Sequence, residues 1–164
     1  MSIDESSDFE ISSHPVQFHV RNGRGKGVSV YMKNGYLEKS WCTEESFQIA
    51  KVSLPCLDIL NVYRSSAASS DQFCGKLAKF LSQTKGTLIF GDFNICGQRE
   101  KNSRIMKFLS TSKFTQLVDE ATHIRGRQID HVYIRDKVKM DVLDIERHSA
   151  YYTDHDALLL TLKF

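Results

Sequence analysis

Apolar residues in this chain fall into short blocks, most of them alternating with polar residues at a period of two. Seven blocks have this strand-like character: 27–33 (GVSVYMK), 46–54 (SFQIAKVSL), 57–63 (LDILNVY), 87–93 (TLIFGDF), 128–134 (QIDHVYI), 139–146 (KMDVLDIE) and 157–164 (ALLLTLKF). Their Val, Ile, Leu and aromatic residues suit a pleated, half-buried surface. NGRGKG before the first block and LPC between the second and third read as turns, so the second and third form a candidate hairpin. Two other segments carry a helical period. In 69–86, Phe73, Leu77, Phe80 and Leu81 recur at helical spacing, with Ser69 or Ser70 as N-cap and Gly86 as stop. In 99–112, Ile105, Phe108 and Leu109 make a narrower stripe. Seven strands against two helices is too strand-rich for a regular alternating parallel sheet. The pattern predicts an α/β fold with two β-sheets packed face to face and helices outside.

Composition narrows this little. With 164 residues, 41% of them hydrophobic, the chain is long enough for one domain with a real core. A polar lead-in over 1–23 precedes one domain over 24–164. The formal net charge of +2 excludes a polycation that coats nucleic acid, so an anionic ligand must be held by local charge. Cys42, Cys56, Cys74 and Cys96 are widely spaced and read as free thiols of a reducing compartment. The acidic, polar N-terminus is unlike a signal peptide, and no apolar run reaches membrane-spanning length. The expectation is an intracellular protein, with no membrane partner.

Chemistry concentrates at strand ends. In TLIFGDFNICG, Asp92 and Asn94 follow a buried-looking strand at alternate positions. Either this is a polar turn, or the strand is a rigid mount for two reactive side chains on one side, with Phe93 on the other. Asp130 and His131 open a later strand, Asp154 and His155 precede the last, and Tyr63 with Arg64 closes DILNVYR. Together these are an inventory for handling a phosphate ester with a divalent metal. Asp154 offers hard carboxylate oxygens to the metal, and Asp92 suits the orienting of an attacking water. Asn94, Tyr63 and a protonated His155 can donate to developing phosphate charge, with Arg64 as a further phosphate contact, while Asp130 can orient the imidazole of His155. Each also has a plainer reading as strand-end or surface residue. His131 should face away from Asp130 by alternation, and His14, His19, His123 and His148 have no metal-like spacing. After Asn94, the run GQREKNSRIMK places Arg99, Lys101, Arg104 and Lys107 close together, either as a solvated helix face or as a track for a DNA backbone.

GDFN, IDHVYI and TDHDALLL, in that order, resemble the closing half of the endonuclease/exonuclease/phosphatase superfamily, and NVYR resembles its tyrosine strand. DEATHIRGRQIDHVY is most similar to endonuclease domains of retroelements and transposons. The resemblance runs from about Arg24 onward. It implies a four-layered α/β sandwich, two packed mixed β-sheets flanked by helices, and Mg²⁺- or Mn²⁺-dependent cleavage of phosphoesters, with DNA as partner and the nucleus as one site of action. By this resemblance Asp92 orients water, Asn94 and His155 contact phosphate, Asp130 orients His155, Tyr63 is the active-site tyrosine and Asp154 is metal-side.

The superfamily's first strands, carrying an asparagine and then the main metal-binding glutamate, have no match here. Glu5 and Glu10 lack flanking apolar strands. The reading is therefore an endonuclease-type domain truncated at its N-terminus, with weak or no activity as given. Its rivals are a non-catalytic remnant that acts as a binding module and a small-molecule phosphatase of the same fold.

Overall fold

The computed structural model describes residues 16–21, 27–32, 38–84, 86–135 and 141–163. The expected turn at 22–27, apart from Gly27, lies outside these residues, as do Glu5, Glu10 and His14. In chain order the elements are β1 (Val16–Arg21), β2 (Gly27–Tyr31), β3 (Glu38–Thr43), β4 (Phe47–Ser53), β5 (Asp58–Arg64), α1 (Ser70–Leu81), β6 (Thr87–Asp92), α2 (Arg104–Thr111), β7 (Phe114–Gln116), β8 (Asp130–Arg135), β9 (Asp141–His148) and β10 (Ala157–Lys163). All seven expected strands and both helices are present. Three further strands are β1, which lies within the segment read as lead-in, the polar β3 and the three-residue β7.

Six strands form one mixed sheet in the order β3-β4-β5-β6-β8-β7. The hairpin β4–β5 closes antiparallel from Phe47↔Arg64 to Ser53↔Asp58. β5 and β6 run parallel, so their connection must cross over, and α1 is that crossover. Ser69 caps α1 by accepting from the Gln72 amide at 3.4 Å. The helix ends at Ser82, whose N–H reaches the Ala78 carbonyl. Gly86 is not the stop that was expected. Its carbonyl accepts from Asp58 N–H at 2.9 Å and extends the β5–β6 pairing.

The alternation of each strand sorts its residues between two faces. On one face Ile49, Leu60, Val62, Ile89 and Tyr133 meet Phe73, Leu77 and Leu81 of α1 and Ile105 and Leu109 of α2. Phe47, Phe73 and Phe93 are linked there by edge-on ring contacts at 5.4 and 5.9 Å, each worth about 0.5–1.5 kcal/mol beyond area burial. The other face carries two separate antiparallel ribbons. The β1–β2 ribbon lies over β3–β5, where Val28 packs on Ala50 and Val52. The β9–β10 ribbon lays Ile145, Leu158, Leu160 and Leu162 against Ile59, Leu88 and Val132. Where a second continuous sheet with helices on both outsides was expected, the described residues form three layers: two helices, one six-stranded sheet and two ribbons. An apolar groove of about 440 Å³ runs between the sheet face and the β9–β10 ribbon.

Gly91 is dictated by this packing. It has φ +137°, and a Cβ placed on it would stand 1.9 Å from the Val62 carbonyl oxygen of the parallel neighbour. Only glycine lets β6 pass β5 at this point. The next two residues, Asp92 and Phe93, then leave the strand toward opposite faces.

Candidate active site

Register brings three expected residues into one row. Tyr63 of β5 pairs with Asp92 of β6, and Asp92 pairs with Asp130 of β8. Neighbours in register point to the same face, so all three side chains lie on the ribbon side of the sheet. Phe93, fully buried among the helix-face aromatics, anchors the end of the row in the core.

Asp130 is held from below and holds upward. The Thr122 hydroxyl accepts from the Ile129 and Asp130 amides at 3.2 and 3.0 Å and donates to Asp130 Oδ2 at 2.7 Å. The same oxygen accepts from His155 Nδ1 at 2.8 Å. That contact leaves His155 Nε2 facing the site. Burial opposes protonation of His155, but the hydrogen bond and charge of Asp130, backed by Asp92 and Asp154, outweigh it and raise the pKa above its ordinary value.

Asp92 sits deeper. Burial pushes its carboxyl up to about 6 against the pull of the Asn94 amide, and the charge of Asp130 adds to the rise. Asn94 lies beyond the strand at φ 49°, so simple alternation does not place it. Its N–H donates to Asp92 Oδ1 at 2.8 Å, and its Nδ2 donates to Asp92 Oδ2 at 3.0 Å and to the Arg64 carbonyl at 2.9 Å. Both amide hydrogens are thus committed. Asn94 thereby holds Asp92 and ties it to the end of β5. Tyr63 stands half-buried beside Asp92, and burial, then that carboxylate, raises its pKa.

The loop before β8 contributes a residue the sequence did not suggest. Ile124 N–H donates to the Asp154 carbonyl at 3.0 Å and Asp156 N–H to the Thr122 carbonyl at 2.8 Å, zipping 122–124 to 154–156. This sets His123 edge-on to His155, ring centroids 5.0 Å apart, with Nε2 3.1 Å from Asp154 Oδ2. Nothing in the spacing marked His123. The one available signal was its position seven residues before Asp130 in a Gly-containing loop.

His123, Asp154 and His155 offer donor atoms within 4.8 Å of one another. Imidazoles favour transition metals, whereas Mg²⁺ takes one or two carboxylates and completes its shell with water and substrate phosphate. Asp154 is the one carboxylate of the three. It is exposed, and its own backbone amide and the two histidines hold its carboxyl below the usual range.

Two expected contributors lie elsewhere. Arg64, adjacent to Tyr63 on the strand, points to the opposite face. It is 6% exposed and donates to the Phe93 and Ala68 carbonyls at 3.1 and 2.6 Å. Its assignment to phosphate is corrected: it is an internal brace. Arg104 opens α2 on the helix layer and pairs with Asp71 of α1. Arg99 and Lys101 are exposed in the loop after Asn94, as is Lys107 on α2. His131 faces away from the row, stacked on Phe93 and bonded to the Tyr133 hydroxyl and Ile95 carbonyl, both at 2.9 Å.

No protein-family model and no curated protein sequence matches the chain. Solved structures do. The endonuclease domain of TRAS1, a telomere-specific non-LTR retrotransposon, superposes with TM-score 0.66 at 12% identity, over 90% of this chain and 77% of that one. The 3′ phosphatase NExo from Neisseria, bound to a product DNA hairpin, gives 0.66 at 12% over 84% and 75%. An endonuclease/exonuclease/phosphatase family protein from Leptotrichia buccalis gives 0.62 at 11% over 89% and 70%. The chain shares the fold of these solved structures.

Proposed function

We propose that this chain is a metal-assisted phosphoester hydrolase acting on the DNA phosphodiester backbone. The observation that carries the reading is the Asp130–His155 pair at 2.8 Å beside Asp92, on one face of the sheet. A carboxylate whose pKa is raised to about 6 is a base matched to neutral pH and accepts a proton from the attacking water. Asn94 fixes the orientation of that carboxylate. A protonated His155, kept charged and aimed by Asp130, donates to a non-bridging phosphate oxygen where negative charge develops. Tyr63, on the far side of Asp92, is placed to add a second donor. Asp154 would hold a divalent cation, Mg²⁺ or Mn²⁺, which when bound neutralises phosphate charge and orders water. With one exposed carboxylate in the cluster, that cation should bind weakly and be needed in excess.

DNA is favoured over a small phosphate ester by two supports. Arg99 and Lys101 extend exposed positive charge from the loop after the site, and of the structural neighbours one is described as an endonuclease domain of a telomere-specific retrotransposon and another as bound to a product DNA hairpin. Nicking of supercoiled plasmid in Mg²⁺ and in Mn²⁺, beside a panel of sugar phosphates, tests the reading. Metal-dependent nicking that disappears in Asp92→Ala is the expected result. Hydrolysis of sugar phosphates without nicking would sink the DNA assignment, and no hydrolysis of either would leave a binding module.

A further inference from the structure

We propose that His123 is a positioning residue for Asp154, completing a crossed pair with Asp130 and His155; this rests on the hydrolase reading above for its consequence, though not for its geometry. The argument begins with the tautomer. The Arg125 backbone N–H donates to His123 Nδ1 at 3.1 Å, so that nitrogen presents its lone pair. A neutral imidazole with Nδ1 as acceptor carries its proton on Nε2. Nε2 lies 3.1 Å from Asp154 Oδ2 and is therefore a donor to the carboxylate, not a lone pair for a cation.

The backbone leaves His123 little freedom to do otherwise. Its N–H donates to the Arg127 carbonyl at 3.1 Å, and its carbonyl accepts from Gly126 N–H at 2.9 Å. It forms bridges with Arg127 on one side and His155 on the other. The side chain is 11% exposed while that of Asp154 is 57% exposed. A carboxylate that open would sample several rotamers without a fixed partner. With Oδ2 occupied by His123, Oδ1 is the oxygen turned toward His155 Nε2, 3.9 Å away. The two histidines thus play inverse parts. Asp130 orients His155, and His123 orients Asp154.

This excludes the alternative in which His123, Asp154 and His155 jointly ligate a transition metal, because His123 would have to surrender the Arg125 hydrogen bond and exchange tautomers. The two readings part in nitrogen-15 spectra of the histidine rings. In the wild-type chain the Nε2–H tautomer of His123 is expected, unchanged on adding Mg²⁺ or Zn²⁺; an Nδ1–H tautomer, or loss of the Nε2 proton with either cation, overturns the proposal. That measurement stands whether or not the chain hydrolyses DNA. Manganese affinity, read by electron paramagnetic resonance, should weaken by about 10–100-fold in His123→Ala. It should be largely restored in His123→Gln, whose terminal amide can still donate to Asp154, and His123→Ala should add nothing in an Asp154→Asn background. Failure of the glutamine to restore affinity, or additive losses, would also overturn it.

Discussion

Asp92 and His155 both have pKa values raised above their ordinary ranges, and that sets a pH window. Asp92 must be ionised to take a proton, so the rate should rise through about pH 6. His155 must be charged, so the rate should fall only above its raised pKa. In Asp130→Asn the imidazole keeps its burial and loses its acceptor, and the alkaline limb of the nicking profile should move to lower pH. An unmoved limb would separate Asp130 from the chemistry. Arg64 gives a different expectation. Arg64→Met strands two buried carbonyls and should cost about 3 kcal/mol in urea unfolding, leaving the salt dependence of DNA binding unchanged. Alternation alone could have told Tyr63 from Arg64, since consecutive strand residues face opposite ways. Asp92, Asp130, Asp154 and His155 were legible because each stands at, or just before, an end of an apolar strand. His123 was not, because only loop pairing in three dimensions brings it to Asp154, and the hydrogen bonds of Asn94 were not, because its positive φ takes it out of the strand's alternation.

At the level of elements, period-two blocks and two helical stripes were enough to find seven strands and both helices. β3 escaped because EKSWCT is polar apart from Trp41 and Cys42, and β7 because three residues carry no period. The layering escaped for another reason: a strand's alternation says that it has two faces but not which neighbour covers each. The junction of β5 and β6 is the point most open to test. Gly91→Ala forces a methyl into the Val62 carbonyl and an L-residue into φ +137°, which should cost about 3 kcal/mol or more and loosen the Asp92 row. Thermal unfolding would show it, and a variant as stable as wild type would mean that the strands can separate there without loss.

For the whole molecule, the groove of about 440 Å³ between sheet and hairpin is an apolar concavity lined by Phe90, Leu158 and Leu160. Folded protein should bind an apolar fluorescent dye there, and Leu160→Ser should weaken the signal; dye binding unaffected by that change would place it elsewhere. The hairpin that walls this groove has a second consequence. Among the described residues β9 and β10 bond to each other and to no strand of the central sheet, so side-chain packing and the 122–124 zipper hold them in place. Such a unit can open without global unfolding. Amides of Leu158 to Leu162 should therefore exchange with deuterium as a block, faster than those of β4 and β5. Each opening carries Asp154 and His155 away from Asp92 and Asp130, so a ligand bridging the site can bind only the closed form. Added phosphate ester and metal should slow exchange along the whole of β10, including residues that never touch them.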